Sequence, residues 1–311
     1  MRSIKAWMVI LINLLVVVVM IVLSLFFYQQ FKEALNERVL LQLTSIKRLK
    51  GVQIEEYIHS EWNNFQSDTI NLNHFVSNGT YAPLVEKSLD IKCLETKNLL
   101  DMEGVVDLSH CTVDSTILLA MVKEYNGSLW IRYLDQQRIQ HILLERSGMG
   151  ETGETYLVGD DFRLRSRSRF FPDQKPLSIT ARTEGVENTL AGNFGSNIIK
   201  DYRGIPVFST YHQLDLPGVN WVILSEIDVK EATIPLAKMR TKLVAIFVLV
   251  TMLAMTLSLV LTSFFSKPLL QMRDLLTLMS KGSFDFKVVA SNPSIEFQEM
   301  FSALDELKQS I

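Results

Sequence analysis

AWMVILINLLVVVVMIVLSLFFY (residues 6–28) and LVAIFVLVTMLAMTLSLVLTSFF (residues 243–265) contain no charged side chain. At about 1.5 Å of rise per residue, a helix of either length crosses the roughly 30 Å hydrocarbon core of a bilayer. The first run is too long for the apolar core of a cleaved signal, and no small-x-small site closes it. Phe26, Phe27 and Tyr28 end it with aromatic bulk, as at a membrane interface. Two crossings bring the chain back to the side on which it starts and place residues 29–242 on the other side. That layout predicts a multi-pass protein that conveys something through a membrane.

The remaining composition narrows the class. A net charge of -3 over 311 residues supplies no clustered basic patch, so a nucleic-acid surface is excluded. Arg2 and Lys5 before the first span, with Lys267 and Arg273 after the second, favour cytoplasmic ends. Lys32 and Arg38, and Lys238, Arg240 and Lys242, flank the spans on the other side and weaken that bias. The only cysteines, Cys93 and Cys111, both fall between the spans. A disulfide in an oxidising compartment fits that placement, and two free buried thiols are the alternative.

Residues 29–75 read as a long helix. Leu35, Val39, Leu43, Ile46, Leu49, Ile54 and Ile58 recur at threes, fours and fives, no proline interrupts, and Gly51 is the one soft point. Such a helix leaving a membrane is a stiff rod suited to carrying displacement. Beyond it, Asn126-Gly127 between two apolar runs predicts a β-hairpin in residues 76–145. Within 146–232, strand candidates at 155–158, 162–165, 198–201, 206–214 and 221–227 alternate with turns, and 181–190 reads as a helix. The pattern is α+β, an antiparallel sheet with a few helices.

Four motifs then occur in order: GMGETGETYLVG (148–159), RLRSRSRF (163–170), DYRGIPVFSTY (201–211) and WVILSEID (221–228). Together they resemble the membrane-proximal half of a bacterial double Cache sensor domain. The resemblance implies two PAS-like modules strung along one long N-terminal helix, outside the membrane, with residues 76–145 as the membrane-distal module and 146–232 as the membrane-proximal one. Residues 266–311 resemble a HAMP linker: Ser266-Lys267-Pro268-Leu269 opens it, Gly282-Ser283-Phe284 is similar to its connector, and Glu296-Phe297-Gln298 to the start of its second helix, with Gln298 where glycine is usual. Pro268 and Glu296 are the positions that carry this match. Leu269, Met272, Leu276 and Met279, then Phe297, Met300, Leu304, Leu307 and Ile311, form two heptad seams. Tandem seams imply a parallel four-helix bundle of two subunits, hence a homodimer.

No catalytic constellation is evident. His59, His74, His110, His141 and His212 lack ligand spacing, and no phosphate loop or nucleophile elbow occurs. Neither an enzymatic role, a cofactor nor a metal is expected. In the proximal module Arg165, Ser166, Arg169, Tyr202, Arg203, Tyr211 and Glu226 stand in the resembling motifs. Arg163, Arg165, Arg167 and Arg169 alternate and would share one face of a strand. They form either an anion-accepting wall or a solvated edge or turn. In the distal module Trp130, Arg132, Tyr133 and Asp135 would suit a small zwitterion, or the aromatics are core. The spaced Tyr–Arg–Trp–Tyr–Asp signature of amino-acid-binding double Cache domains is not found.

The resemblance implies the input portion of a receptor in the bacterial inner membrane, its sensor domain periplasmic or extracellular. Its partners would be a small ligand or a periplasmic binding protein, a second copy of the chain, and a cytoplasmic output of the histidine-kinase (two-component) or chemotaxis-receptor type. An accessory membrane protein whose ectodomain docks a protein partner is the alternative.

Overall fold

The structure, a computed structural model, describes residues 4–67, 75–76, 89, 93, 103–125, 128–283, 285 and 294–310. The chain divides into two units, one of Glu33–Pro235 and one of residues up to Lys32 together with Leu236–Ile311.

The Glu33–Pro235 unit is built on α1, whose whole extent is Ile4–Ser67. Residues 68–74, the last part of the predicted helix, lie outside the described residues. Leu43, Ile54, Ile58 and Phe65 are buried along one stripe of α1, and their spacing is what an amphipathic helix needs to bury a face. Gly51 has a packing reason: a β-carbon there would stand 3.3 Å from the His212 ring. The end of α1 is held by Lys123, whose Nζ donates to the carbonyls of Phe65 (2.8 Å) and Gln66 (3.2 Å). Those are final-turn carbonyls with no partner inside the helix, and a cation there also suits the helix dipole.

The first sheet has the order β1-β4-β3-β2, with β1 Phe75–Val76, β2 Gly104–Asp107, β3 Leu119–Tyr125 and β4 Ser128–Tyr133. β3 and β4 pair antiparallel down to Tyr125↔Ser128, the arrangement a two-residue hairpin loop produces; Asn126 and Gly127 themselves lie outside the described residues. One face of this sheet meets α1 through Leu119 and Met121 against Ile54, Ile58 and Phe65. The other buries Val106, Ala120, Val122 and Ile131 with Cys111. Cys93 and Cys111 are joined in a disulfide, Cα to Cα 5.5 Å.

α2, Gln136–Leu144, follows; Asp135 caps it by accepting from the Gln137 amide at 2.9 Å. The second sheet has the order β5-β8-β7-β6 and is antiparallel throughout. Its strands are β5 Glu154–Val158, β6 Gly195–Lys200, β7 Pro206–Gln213 and β8 Val222–Asp228, with α3, Glu184–Leu190, between β5 and β6. Side chains alternate across this sheet. Leu157 and Ile223 share the core that holds α1, while Tyr156, Val158, Tyr211, Val222 and Leu224 face the segment that runs through Leu164, Ile179, Ala181 and Val186.

The other unit contains both apolar runs. α4, Ile234–Ser280, carries the second, and Pro268 lies inside it. Asn13 donates from Nδ2 to Ser258 Oγ at 2.7 Å, so one polar contact joins the two spans. α4 stops at Gly282, whose φ of 77° is the left-handed conformation common at helix C-termini. Phe284, in the predicted connector, lies outside the described residues. α5, Ile295–Ser310, follows. Phe297, Phe301 and Leu304 are buried on it, whereas Leu269, Leu276, Met300 and Leu307 are exposed. Of the predicted seam positions, Met279, Phe297 and Leu304 are covered within the chain.

Candidate functional site

The covered face of the second sheet concentrates buried polar groups. Glu154 on β5, Glu226 on β8 and Ser209 on β7 form one row across three strands, and all three are buried. Strand alternation puts Tyr156 on the same face, where its hydroxyl donates to Glu226 Oε2 at 2.9 Å. Glu154 Oε2 accepts from the Tyr202 hydroxyl at 2.5 Å, and its Oε1 accepts from the Arg169 amide at 2.8 Å. Ser168 Oγ lies 2.7 Å from the same Tyr202 hydroxyl. The Tyr156 and Tyr202 rings meet edge to face with centroids 5.2 Å apart, a favoured aromatic geometry.

Electrostatics distinguish the two carboxyls only in degree. Burial pushes Glu226 up to about 8, and the hydrogen bond from Tyr156 and the nearby Ser209 only partly offset it. Glu226 Oε1 and Ser209 Oγ make no hydrogen bond of normal geometry. Burial also raises Glu154, against the opposing effect of the Tyr202 bond. Burial on this face therefore favours the neutral form of a carboxylic acid.

The cationic side chains expected here are already paired. Arg203 donates from Nε to Asp201 (2.6 Å) and from Nη2 to Asp228 (2.6 Å), and its guanidinium lies 3.6 Å from the Phe170 ring centroid. Arg169 bonds the Gly153 carbonyl at 2.8 Å. Tyr211 is on the covered face one strand away, where Asn188 Nδ2 donates to its hydroxyl at 3.4 Å. Tyr202, Arg169, Arg203 and Tyr211 are thus gathered on one module face.

Arg165 is not among them. It is 1% exposed, and donates from Nε to Asp107 (2.8 Å) and from Nη1 to Asp161 (2.9 Å). Asp107, at the end of β2, also accepts from Trp221 Nε1 at 2.8 Å, so Arg165 and Trp221 tie the second sheet to the first. The Arg165 guanidinium beside it holds the Asp107 carboxyl below the usual range although burial works the other way. The predicted common face for Arg163, Arg165, Arg167 and Arg169 is corrected here: 163–170 forms no strand, only isolated bridges at Arg163 and Leu164. Arg163 and Arg167 are exposed, while Arg165 is enclosed.

The distal cluster is divided. Trp130 packs on the core that faces α1, and the Arg132 guanidinium lies 5.1 Å from the Phe65 ring centroid on that side. Tyr133 packs on the opposite face with Cys93. Asp135 serves as the α2 cap, and its carbonyl accepts from the Tyr57 hydroxyl at 3.1 Å. Among the described residues, the only cluster of metal-ligating side chains is Cys93, His110 and Cys111, and its two sulfurs are bonded to each other. Sequence reasoning missed Glu154 and Tyr156. The available signal was their alternation in GETGETYLV, which places both on one strand face.

No protein-family model matches the sequence, and a comparison with curated proteins finds no match. Among solved structures, it is similar to the ligand-binding domain of the Pseudomonas aeruginosa PAO1 amino acid chemoreceptor PctB in complex with L-Arg, at a TM-score of 0.42 and 12% identity over 66% of this chain and 93% of that one. The P. aeruginosa PAO1 amino acid chemoreceptor PctC in complex with GABA gives 0.40 and 16%, over 61% and 100%. The Pseudomonas fluorescens chemoreceptor CtaA in complex with L-isoleucine gives 0.39 and 11%, over 66% and 96%.

Proposed function

We propose that this chain is the input portion of a bacterial inner-membrane receptor of the double Cache type. The Glu33–Pro235 unit lies outside the membrane and responds to a small ligand, delivered free or on a periplasmic binding protein. The single observation that carries the reading is the arrangement of the unit: two antiparallel sheets are packed on α1, which begins in one apolar run, and a second apolar helix leads out of the unit. The Cys93–Cys111 disulfide suits an oxidising compartment.

In this reading α4 shifts by ångströms when a ligand favours one of two sensor conformations, and residues 266–311 act as a HAMP linker that exchanges between two packings. The output is of the histidine-kinase or chemoreceptor type. Leu269, Leu276, Met300 and Leu307, exposed in one chain, supply the surface that a homodimer buries. No enzymatic role is proposed.

A thermal-shift screen of the full chain in lipid nanodiscs, against amino acids, carboxylates, amines and nucleobases, tests the receptor. A ligand at a hundred times its dissociation constant adds about 2.7 kcal/mol, or roughly 5–10 °C for a unit of this size. Phe194 and Ile198, exposed at and beside the edge strand β6, favour the second reading, an accessory protein that docks a partner there. A screen without any stabilising compound would turn the choice to that reading.

A further inference from the structure

A crevice of about 650 Å³ opens between the two modules. The Ser115–Thr116–Ile117 turn before β3 forms one wall, α2 the floor, and residues 172–176 with Arg167 the other wall. Ser115 holds a left-handed φ of 58°, which shapes the turn against the crevice.

Two lining groups have unmet chemistry. The Gln136 side chain, on the first turn of α2, has both its amide nitrogen and its amide oxygen buried and without a hydrogen-bond partner among the described residues. Each such group costs on the order of 1–3 kcal/mol when nothing bonds it. The Arg167 guanidinium forms no ion pair among the described residues. Its backbone is nevertheless fixed, because the Arg167 amide donates to Gln140 Oε1 at 2.8 Å, and Gln140 Nε2 reaches the Arg165 carbonyl at 3.4 Å. Lys175, which also lines the crevice, is engaged with the opposite wall, donating to the Asp114 carbonyl at 2.5 Å.

A guanidinium with no carboxylate is a fork shaped for one. An amide with both ends unbonded needs an acceptor for its NH₂ and a donor for its oxygen. We propose that the intermodular crevice binds a small carboxylate bearing a hydroxyl on the adjacent carbon. Arg167 takes the carboxylate, and Gln136 bonds the hydroxyl and a carboxylate oxygen. Bound there, the anion touches the distal turn and the proximal loop at once, and so favours one relative placement of the two. This deepens the receptor reading by naming a site, but binding at the crevice is measured without assuming any signal.

The test is calorimetric titration of the full chain in nanodiscs with L-malate, using succinate as the analogue that lacks the hydroxyl. Wild type is expected to bind malate at least tenfold more tightly than succinate. Arg167→Ala should weaken malate at least tenfold, and Gln136→Leu should remove the preference over succinate. Arg163→Ala, an exposed arginine outside the crevice, should leave both unchanged and controls for net charge. Absence of malate binding at 10 mM, or equal affinity in wild type and Arg167→Ala, overturns the proposal. A different compound stabilising the chain in the thermal-shift screen would keep the receptor reading while the crevice assignment falls.

Discussion

Replacing Glu226 by glutamine should change how stability depends on pH. The carboxyl has an ordinary value of 4.5 and stands at about 8 in the fold. A group raised in this way contributes stability that is fully present below 4.5 and is lost as pH rises through about 8. Linkage over those two values gives a loss on the order of 2–3 kcal/mol between pH 5 and pH 7, because the folded state must hold a proton that the unfolded chain gives up. Glutamine keeps an oxygen to accept from Tyr156 and carries no charge at either pH. The variant should therefore gain on wild type by that amount over the interval, or about 5–10 °C in melting temperature for a unit of this size. Glu154, also raised by burial, is present in both proteins and largely cancels in the difference. Melts of the full chain in nanodiscs, followed by tryptophan fluorescence since Trp221 is fully buried, read the effect directly. A wild-type-to-variant gap that is the same at pH 5 and pH 7 would refute the assignment of Glu226 as a buried, mostly neutral acid.

Two further outcomes concern the junction and the distal module. Arg165→Met removes the guanidinium paired with the buried Asp107 carboxylate and should cost about 3–5 kcal/mol in urea unfolding. Adding Asp107→Asn, which removes the charge yet keeps an acceptor for Trp221, should recover part of that, and a single-variant cost below about 1 kcal/mol would contradict the pairing. Reducing the Cys93–Cys111 bridge should cost about 3 kcal/mol by loop entropy; Cys111→Ser should match it and no longer respond to reductant, which paired melts with and without dithiothreitol would show.

The features legible in the sequence are those written in neighbouring residues. The apolar runs, the amphipathic stripe of α1 and the turn after Tyr125 each depend on spacing within one element. The arginine alternation misled because Ser168 acts locally, its Oγ accepting from the Phe170 (3.0 Å) and Phe171 (3.2 Å) amides, while Ser166 Oγ accepts from the Leu157 amide of β5 at 3.0 Å. Such side-chain bonds compete with a strand ladder and turn the backbone into bends. The rest depended on distant partners. Glu226 meets Tyr156 across 70 positions, and Arg165 meets Asp107 across 58. Gly51, which reads as a weak point in a helix, is a clearance for a histidine far along the chain.

The Asn13–Ser258 contact gives the paired spans a mechanical detent. A hydrogen bond at 2.7 Å holds over only a few tenths of an ångström of sliding before its geometry fails. Polar contacts between membrane helices are worth about 0.6–1.7 kcal/mol, so the stop is firm against thermal jitter of that size and soft against a binding event. One turn along α4, Thr262 is buried and its hydroxyl has no hydrogen-bond partner among the described residues. The seam therefore has a filled notch and an empty one about 6 Å apart along the helix axis.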